Sequence, residues 1–363
     1  MYILLIIIAV LLIGGVIFLQ QDTFGAKPSD ARLERIKKSR NYKDGAFQNQ
    51  SYTPTLAKGY NYVGVLYDFL IRKKENLTPS DSLPFVKTDL KSLPPADVLI
   101  WFGHSSYLMQ LEGKTFLVDP VFSGYASPIK GTNKAFKGSD RYNVEDLPPI
   151  DYLIITHDHY DHLDYETIKK LKNRVGRVIC ALGVGAHFEK WGYASAQLIE
   201  NDWGDEFTLD NHFKMYLTPA RHFSGRSLSK NNTLWTSYVL ETPSKRIFIG
   251  GDSGYDKHFA EIGRRFKEFD LAILENGQYN EAWRYIHTLP DEVLKVAQEL
   301  GAKRVLPVHS GKFDLGGHPW NEPLTKLTEL NKTTNLPLVT PMIGEVVELD
   351  NPKQKFSKWW EMQ

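Results

Sequence analysis
The hydropathy of the chain changes character twice. Residues 2–19 carry no charged and no strongly polar side chain, and residues 20–95 are polar with short apolar patches such as 60–71. From Asp97 onward short apolar runs alternate with amphipathic stretches. Pro79, Pro84, Pro94 and Pro95 interrupt the polar arm, so little long regular structure is expected there. The later apolar runs predict strands over 98–102, 107–111, 115–118, 152–156, 178–181, 213–218, 236–241, 246–250, 271–275 and 304–308. Helices are predicted over 164–172, 259–266, 291–298 and 324–330; in the third, Val293, Val296, Ala297 and Leu300 share a helical face. Many strands with intervening helices mean an α/β or α+β domain of two or more layers. The expected organisation is an anchor over 1–20, an arm over 21–95 packing on the main domain, that domain over 96–350, and a tail over 351–363.

The first apolar run has the length of a membrane span, roughly 27 Å as a helix. No Lys or Arg precedes it, and Leu19-Gln20-Gln21-Asp22 is a poor cleavage site, so an uncleaved single-pass anchor is expected. A signal peptide and a buried helix are the competing readings. Lys27, Arg32, Arg35, Lys37, Lys38, Arg40 and Lys43 follow the run, which favours a cytoplasmic body.

Composition narrows the chemistry. With 363 residues, 44 Lys plus Arg against 43 Asp plus Glu and 42% hydrophobic residues, the chain is a folded, nearly neutral protein, not a nucleic-acid binder. The single cysteine, Cys180, excludes an internal disulfide and a Cys-rich zinc site; in its apolar strand it reads as core. A metal must then be held by His, Asp or Glu.

Such a site is visible in Thr156-His157-Asp158-His159-Tyr160-Asp161-His162-Leu163-Asp164, where three of the 11 histidines fall within six residues. His157 and His159 are two apart, as are strand residues facing one way, so both imidazoles can reach one ion; Asp161 and His162 can serve a second. The competing reading is a solvated loop or helix cap, with Asp158 or Asp161 capping the next helix. His222, Asp252 and His309 each lie just past a predicted apolar strand, as His157 does, and complete two coordination sets.

These residues resemble the His-x-His-x-Asp-His signature of the metallo-β-lactamase superfamily, and within it N-acyl-phosphatidylethanolamine-hydrolysing phospholipase D and its bacterial relatives. The resemblance is carried by 101–106, 118–123 with 126–128, 147–151, 156–164, 218–222, 250–255, 261–266 and 309–311, within about residues 45–350. It implies a four-layer αββα sandwich. It implies that His157, His159 and His222 bind one zinc, that Asp161, His162 and His309 bind a second, and that Asp252 bridges them. Asp161 would also act in catalysis. His287 sits where the phospholipases have a histidine lining the site, with a surface or cap-adjacent role as the alternative. His104 and Asp119 lie near the ligands in such folds and would orient them. His187, His212, His258 and His318 have no motif around them and read as structural or exposed. The stretch 274–281 departs from the phospholipase sequence, as does the apolar start.

The resemblance implies a di-zinc hydrolase that activates water and needs no protein nucleophile. The expected substrate is a membrane phospholipid, N-acyl-phosphatidylethanolamine, giving an N-acylethanolamine and phosphatidic acid. A lactonase or amide hydrolase on the same two metals is the alternative, because the metal pair does not distinguish carbonyl from phosphorus. A membrane-tethered binding protein is the third reading. A homodimer is left open.

Overall fold
The computed structural model describes residues 1–71, 74–210 and 212–362. Fifteen strands appear in chain order: β1 Tyr42–Lys43, β2 Ala46–Phe47, β3 Val98–Trp101, β4 Tyr107–Leu111, β5 Lys114–Val118, β6 Ile150–Ile154, β7 Val175–Ala181, β8 Leu198–Asn201, β9 Glu206–Thr208, β10 Lys214–Thr218, β11 Ser237–Glu241, β12 Arg246–Ile249, β13 Leu271–Glu275, β14 Val305–Val308 and β15 Val346–Glu348. The helices are α1 Tyr2–Leu19, α2 Asp30–Lys37, α3 Tyr62–Leu70, α4 Tyr165–Leu171, α5 Gly185–Lys190, α6 His258–Phe266, α7 Pro290–Leu300 and α8 Glu322–Thr334. One sheet runs β15-β3-β4-β5-β6-β7-β8 and the other β14-β13-β12-β11-β10-β9, both mixed.

Period-two alternation decides which face of each strand is buried where. In the six-stranded sheet Met215, Leu217, Tyr238, Leu240, Ile247, Ile249 and Ile273 join a core shared with Leu108, Phe116 and Leu153 of the seven-stranded sheet. Their neighbours Tyr216, Val239, Phe248, Ala272 and Leu274 point outward, against Phe259, Ile262, Val296 and Leu300 of α6 and α7. The other outer face is covered by Ile168 and Leu171 of α4 and Phe188 of α5. This is the expected αββα sandwich. Helix α7 begins with Pro290 and ends at Gly301 in a left-handed conformation, which fixes its length independently of packing.

Strand direction gathers the chemistry at one end. β3 and β5 each run antiparallel to β4, β5 runs parallel to β6, β10 and β12 each run antiparallel to β11, and β12 to β14 are parallel. The loops after β3, β5, β6, β10, β12, β13 and β14 therefore emerge at the carboxyl ends of codirectional strands. These loops carry His104, Asp119, 157–162, His222, Asp252, 276–278 and His309.

Some elements differ from the expectation. β6 ends at Ile154 instead of continuing to 156, because the Asp119 carboxylate takes the backbone N–H of Thr156 at 2.9 Å and its hydroxyl at 2.6 Å. His157 and His159 consequently lie on a loop, and their convergence is a loop conformation, not strand alternation. Helix α2 buries only Ile36 and is held by ion pairs of Arg32 with Glu189 (2.6 Å) and Glu200 (2.9 Å). Helix α1 has no buried residue and is the one described helix long and apolar enough to cross a membrane.

The loop after β14 rests on Lys312, whose ammonium is buried and donates to the Val121 carbonyl at 2.8 Å, with Asp140 4.0 Å away. Burial pushes this ammonium down to about 8. Between pH 8 and the ordinary lysine value near 10.4, the unfolded chain holds a proton that the folded chain has released, so this group's contribution to stability rises with pH. Below pH 8 its full burial cost remains. The stability of the natural chain relative to Lys312→Met is expected to rise by about 3 kcal/mol from pH 7 to pH 10.5. Urea unfolding at both pH values reads this directly; a difference that stays flat would mean an unshifted ammonium.

Candidate metal centre
The donor atoms of His157, His159 and His222 lie within 4.8 Å of one another. His157 Nε2 is 2.9 Å and His222 Nε2 is 3.2 Å from His159 Nδ1. A second group brings His104, Asp161, His162 and His309 within the same limit. Asp252 stands between the two. Its Oδ2 faces His157 Nε2 at 3.8 Å and His222 Nε2 at 3.7 Å, and its Oδ1 faces His162 Nε2 at 3.3 Å and His309 Nδ1 at 3.2 Å. All seven residues expected as metal ligands thus meet at one place.

The local chain is shaped for this approach. Gly251 has φ +60°, and a Cβ there would lie 2.9 Å from Thr156 Cβ and from the Thr236 carbonyl, so glycine lets Asp252 come up against the histidine loop. His104, Asp119, Gln278 and His309 hold positive φ without being glycine. Such conformations persist only where the surroundings enforce them, and here all four occur in loops of the site.

Hydrogen bonds fix which ring nitrogens face inward. His162 Nδ1–H donates to Asp119 Oδ2 at 2.8 Å and His222 Nδ1–H to the Ile286 carbonyl at 2.9 Å. His157 Nδ1 is engaged by Thr156 Oγ1 at 3.0 Å. Each leaves Nε2 with a lone pair for a cation. Asp119 orients a candidate ligand, as expected. His104 does more: its Nε2–H donates to Asp161 Oδ2 at 2.9 Å, and it sits among the candidate donors themselves. Burial drives His157, His222 and His309 well below the ordinary histidine range, so they stand neutral as ligation requires. For Asp252 burial works the other way, but its attraction to His162 prevails against burial of both groups, holding the carboxylate ionised and the His162 imidazole above the ordinary histidine range until a cation takes the proton's place.

The donor set fits a cation. His162 Nε2 and Asp252 Oδ1 are buried without a hydrogen-bond partner while facing each other across the centre. Nitrogen and carboxylate donors in this number suit zinc and other first-row divalent ions.

Residues that the sequence did not single out complete the surroundings. Glu275, at the end of β13, accepts from His287 Nδ1–H at 2.7 Å and from the backbone N–H groups of Ser253 (2.7 Å) and Thr288 (3.0 Å). Burial pushes its carboxyl up to about 7, against the pull of His287. The strand-end position that marks Asp252 also marks Glu275, so the signal was present. Asn49 of the arm accepts from His222 N–H at 3.1 Å and donates to its carbonyl at 2.8 Å. Of the unassigned histidines, His187, His258 and His318 bond within the scaffold and His212 is exposed; Cys180 is buried. A cavity of about 420 Å³ opens onto the centre, lined by His159, Asp161 and His287 together with Leu56, Phe223 and Trp283.

Comparison with known proteins agrees with this geometry. Residues 114–310, more than half the chain, match a β-lactamase superfamily domain. The chain is 33% identical over 331 residues to an uncharacterized protein of Mycobacterium tuberculosis, covering 90% of this chain and 88% of that one. It is 31% identical over 272 residues to N-acyl-phosphatidylethanolamine-hydrolyzing phospholipase D 1 of Caenorhabditis elegans, covering 68% of this chain and 74% of the relative. Among solved structures, Igni18, a metallo hydrolase from Ignicoccus hospitalis, shares the fold with a TM-score of 0.53 at 19% identity, over 69% of this chain and 97% of that one. The chain belongs to the metallo-β-lactamase superfamily of metal-dependent hydrolases, among the homologues of N-acyl-phosphatidylethanolamine-hydrolysing phospholipase D.

Proposed function
We propose that the protein is a membrane-anchored di-zinc phosphodiesterase that hydrolyses N-acyl-phosphatidylethanolamine to an N-acylethanolamine and phosphatidic acid. The observation that carries this reading is the Asp252 carboxylate, which faces one donor set with each oxygen at the floor of a half-apolar cavity. The substrate class comes from the Caenorhabditis elegans relative, which is named for hydrolysis of this lipid. His157, His159 and His222 would hold one ion, Asp161, His162 and His309 the other, and Asp252 both. Two bound zinc ions supply Lewis acidity, lowering the pKa of water and neutralising charge that develops on phosphorus.

The chain's own groups do the rest. Water attacks phosphorus, its released proton passing to solvent through the open cavity, and the bond from phosphorus to the ethanolamine oxygen breaks. That oxygen leaves needing a proton, and His287 on the cavity wall, held by Glu275, is placed to give it. Burial works against a charge on His287, but the Glu275 carboxylate prevails and raises its pKa, so a proton is at hand. Asp161, held by His104, keeps its carboxylate turned to the centre. Leu56, Phe223, Ile286 and Leu315 offer apolar walls for acyl chains. Helix α1 would span the bilayer, with the basic segment 27–43 keeping the body on the cytoplasmic face.

The full-length protein in detergent–lipid mixed micelles is expected to release N-acylethanolamine and phosphatidic acid, and the chelated protein neither. In ¹⁸O water the label should enter phosphatidic acid. Turnover confined to a panel of lactones or amides would replace this reading with the carbonyl-hydrolase alternative.

A further inference from the structure
Helix α3 is apolar and faces solvent. Tyr62, Val63, Leu66 and Tyr67 form a stripe at helical spacing and are 69%, 79%, 57% and 58% exposed. Asn61 caps the helix by accepting from the Gly64 N–H at 2.8 Å, so it is a formed element. A stripe of this kind on a folded body marks an interaction surface.

Where the helix is rooted says what it meets. On one side of the helix the chain is bonded to the body at Ala57, whose N–H donates to the Ala282 carbonyl at 2.7 Å, and on the other at Asn76, whose carbonyl accepts from the Trp320 N–H at 2.9 Å. Trp283, next to the first of these roots, lines the metal-site cavity, as do residues 53–56. Helix α3 is thus an apolar excursion from the rim of the site.

The base of α1 is fastened to loops that also reach the site. Phe18 packs on Phe24 with ring centroids 5.1 Å apart, and Phe24 on Tyr160 at 6.4 Å. Trp191 Nε1–H donates to the Asp22 carbonyl at 2.8 Å and Arg226 Nη2–H to the Thr23 carbonyl at 2.7 Å. Tyr160 is the sequence neighbour of His159 and Asp161, which line the metal-site cavity, while Tyr160 itself lines a separate hollow with Phe18, Asp22 and Thr23. The segment after α1 is therefore a fastened foot, bonded through Arg226 to the loop whose ends, Phe223 and Lys230, line the cavity. Leu228, 87% exposed, lies in the loop between cavity residues Phe223 and Lys230 and adds apolar surface at the same mouth.

We propose that α3 seats its Tyr62–Val63–Leu66–Tyr67 face in the interfacial layer of the bilayer that α1 spans, so that the cavity opens directly onto lipid head groups. An amphipathic segment of this kind lies with its apolar face some 5–10 Å into the boundary between head groups and acyl chains. The assignment rests on the anchored reading of α1 but not on the identity of the substrate.

The test uses the full chain in phosphatidylcholine vesicles, with and without spin-labelled lipid. Because Cys180 is buried, a fluorophore can be placed at Leu66→Cys, Val63→Cys, Leu11→Cys or Lys353→Cys alone. Lys353 is exposed near the start of β3, at the opposite end of the sheets. Labels at Leu66→Cys and Val63→Cys are expected to be quenched roughly twofold by shallow spin labels. Leu11→Cys should respond to deep ones and Lys353→Cys to neither. Quenching at Leu11→Cys with none at either α3 site overturns the docking of α3 and leaves the anchor standing. No quenching at Leu11→Cys overturns the anchor, and the docking with it. An α3 label that ignores lipid but responds to dilution of the protein in the vesicles assigns the face to a second copy of the chain and overturns the proposal.

Discussion

Asp252→Asn is expected to lower hydrolysis roughly 10³-fold while leaving the unfolding midpoint within a few degrees of the natural chain. Asp252 is the residue on which both donor sets converge, at 3.2–3.8 Å from four imidazoles. An amide keeps the shape but removes the charge and turns one oxygen into a donor aimed at neutral imidazole nitrogens. Both metal positions would lose a ligand at once, so metal retention after dialysis should fall with activity. The core is untouched, because Asp252 belongs to a loop beyond β12 and packs no apolar side chain. Far-UV circular dichroism and thermal unfolding separate loss of the site from loss of the fold. A variant that keeps turnover would remove Asp252 from the centre of the account.

The largest stability effect is expected at Arg226. Its guanidinium is buried and donates from Nη1 to the carbonyls of Asp158 (2.8 Å) and Leu163 (2.6 Å), and from Nε (3.1 Å) and Nη2 (2.7 Å) to that of Thr23. It also stacks over Tyr160 at 4.2 Å. One side chain therefore ties both ends of the 157–162 ligand loop to the segment that leaves α1. Nearby, the Asp158 carboxylate accepts from the Gly225 N–H at 2.7 Å and the Thr233 hydroxyl at 2.8 Å and pairs with His187 at 3.2 Å. Arg226→Met fills much of the volume but takes their donor from two buried carbonyls and the half-buried Thr23 carbonyl, and removes a buried cation beside Asp158. The expected cost is about 3–5 kcal/mol, measured by urea unfolding, with metal release at lower chelator concentration than in the natural chain. Unchanged stability would mean that the loop and the post-anchor segment hold without it.

The contrast between these two residues explains what the sequence could and could not reveal. Asp252 follows an apolar strand within Gly250-Gly251-Asp252-Ser253-Gly254, so strand periodicity and turn chemistry together point to it. The same logic reached His222 and His309, because ligands at the carboxyl ends of codirectional strands leave a one-dimensional trace. It applies equally to Glu275, which ends an apolar strand but opens the stretch 274–281 that departs from the phospholipase sequence and so carries no motif residue. Arg226, His187 and Asn49 leave no such trace, since their partners lie 29 to 203 residues away in the chain. Helix α2 was invisible for a related reason: ion pairs with Glu189 and Glu200, not an apolar stripe, hold it against the body. The edge strands β8, β9 and β15 are three or four residues long, too short for a period to register. Loop geometry was the subtler miss, for His157 and His159 converge through the turn that Asp119 imposes on Thr156, not through strand alternation.

The central claim is that this chain assembles two adjacent metal positions that share one carboxylate. Metal analysis of the purified full-length protein, after dialysis against metal-free buffer, tests it most directly. Close to two equivalents of a divalent metal per chain is the predicted result, falling sharply in Asp252→Asn. One equivalent, or none, in a folded natural chain would contradict it.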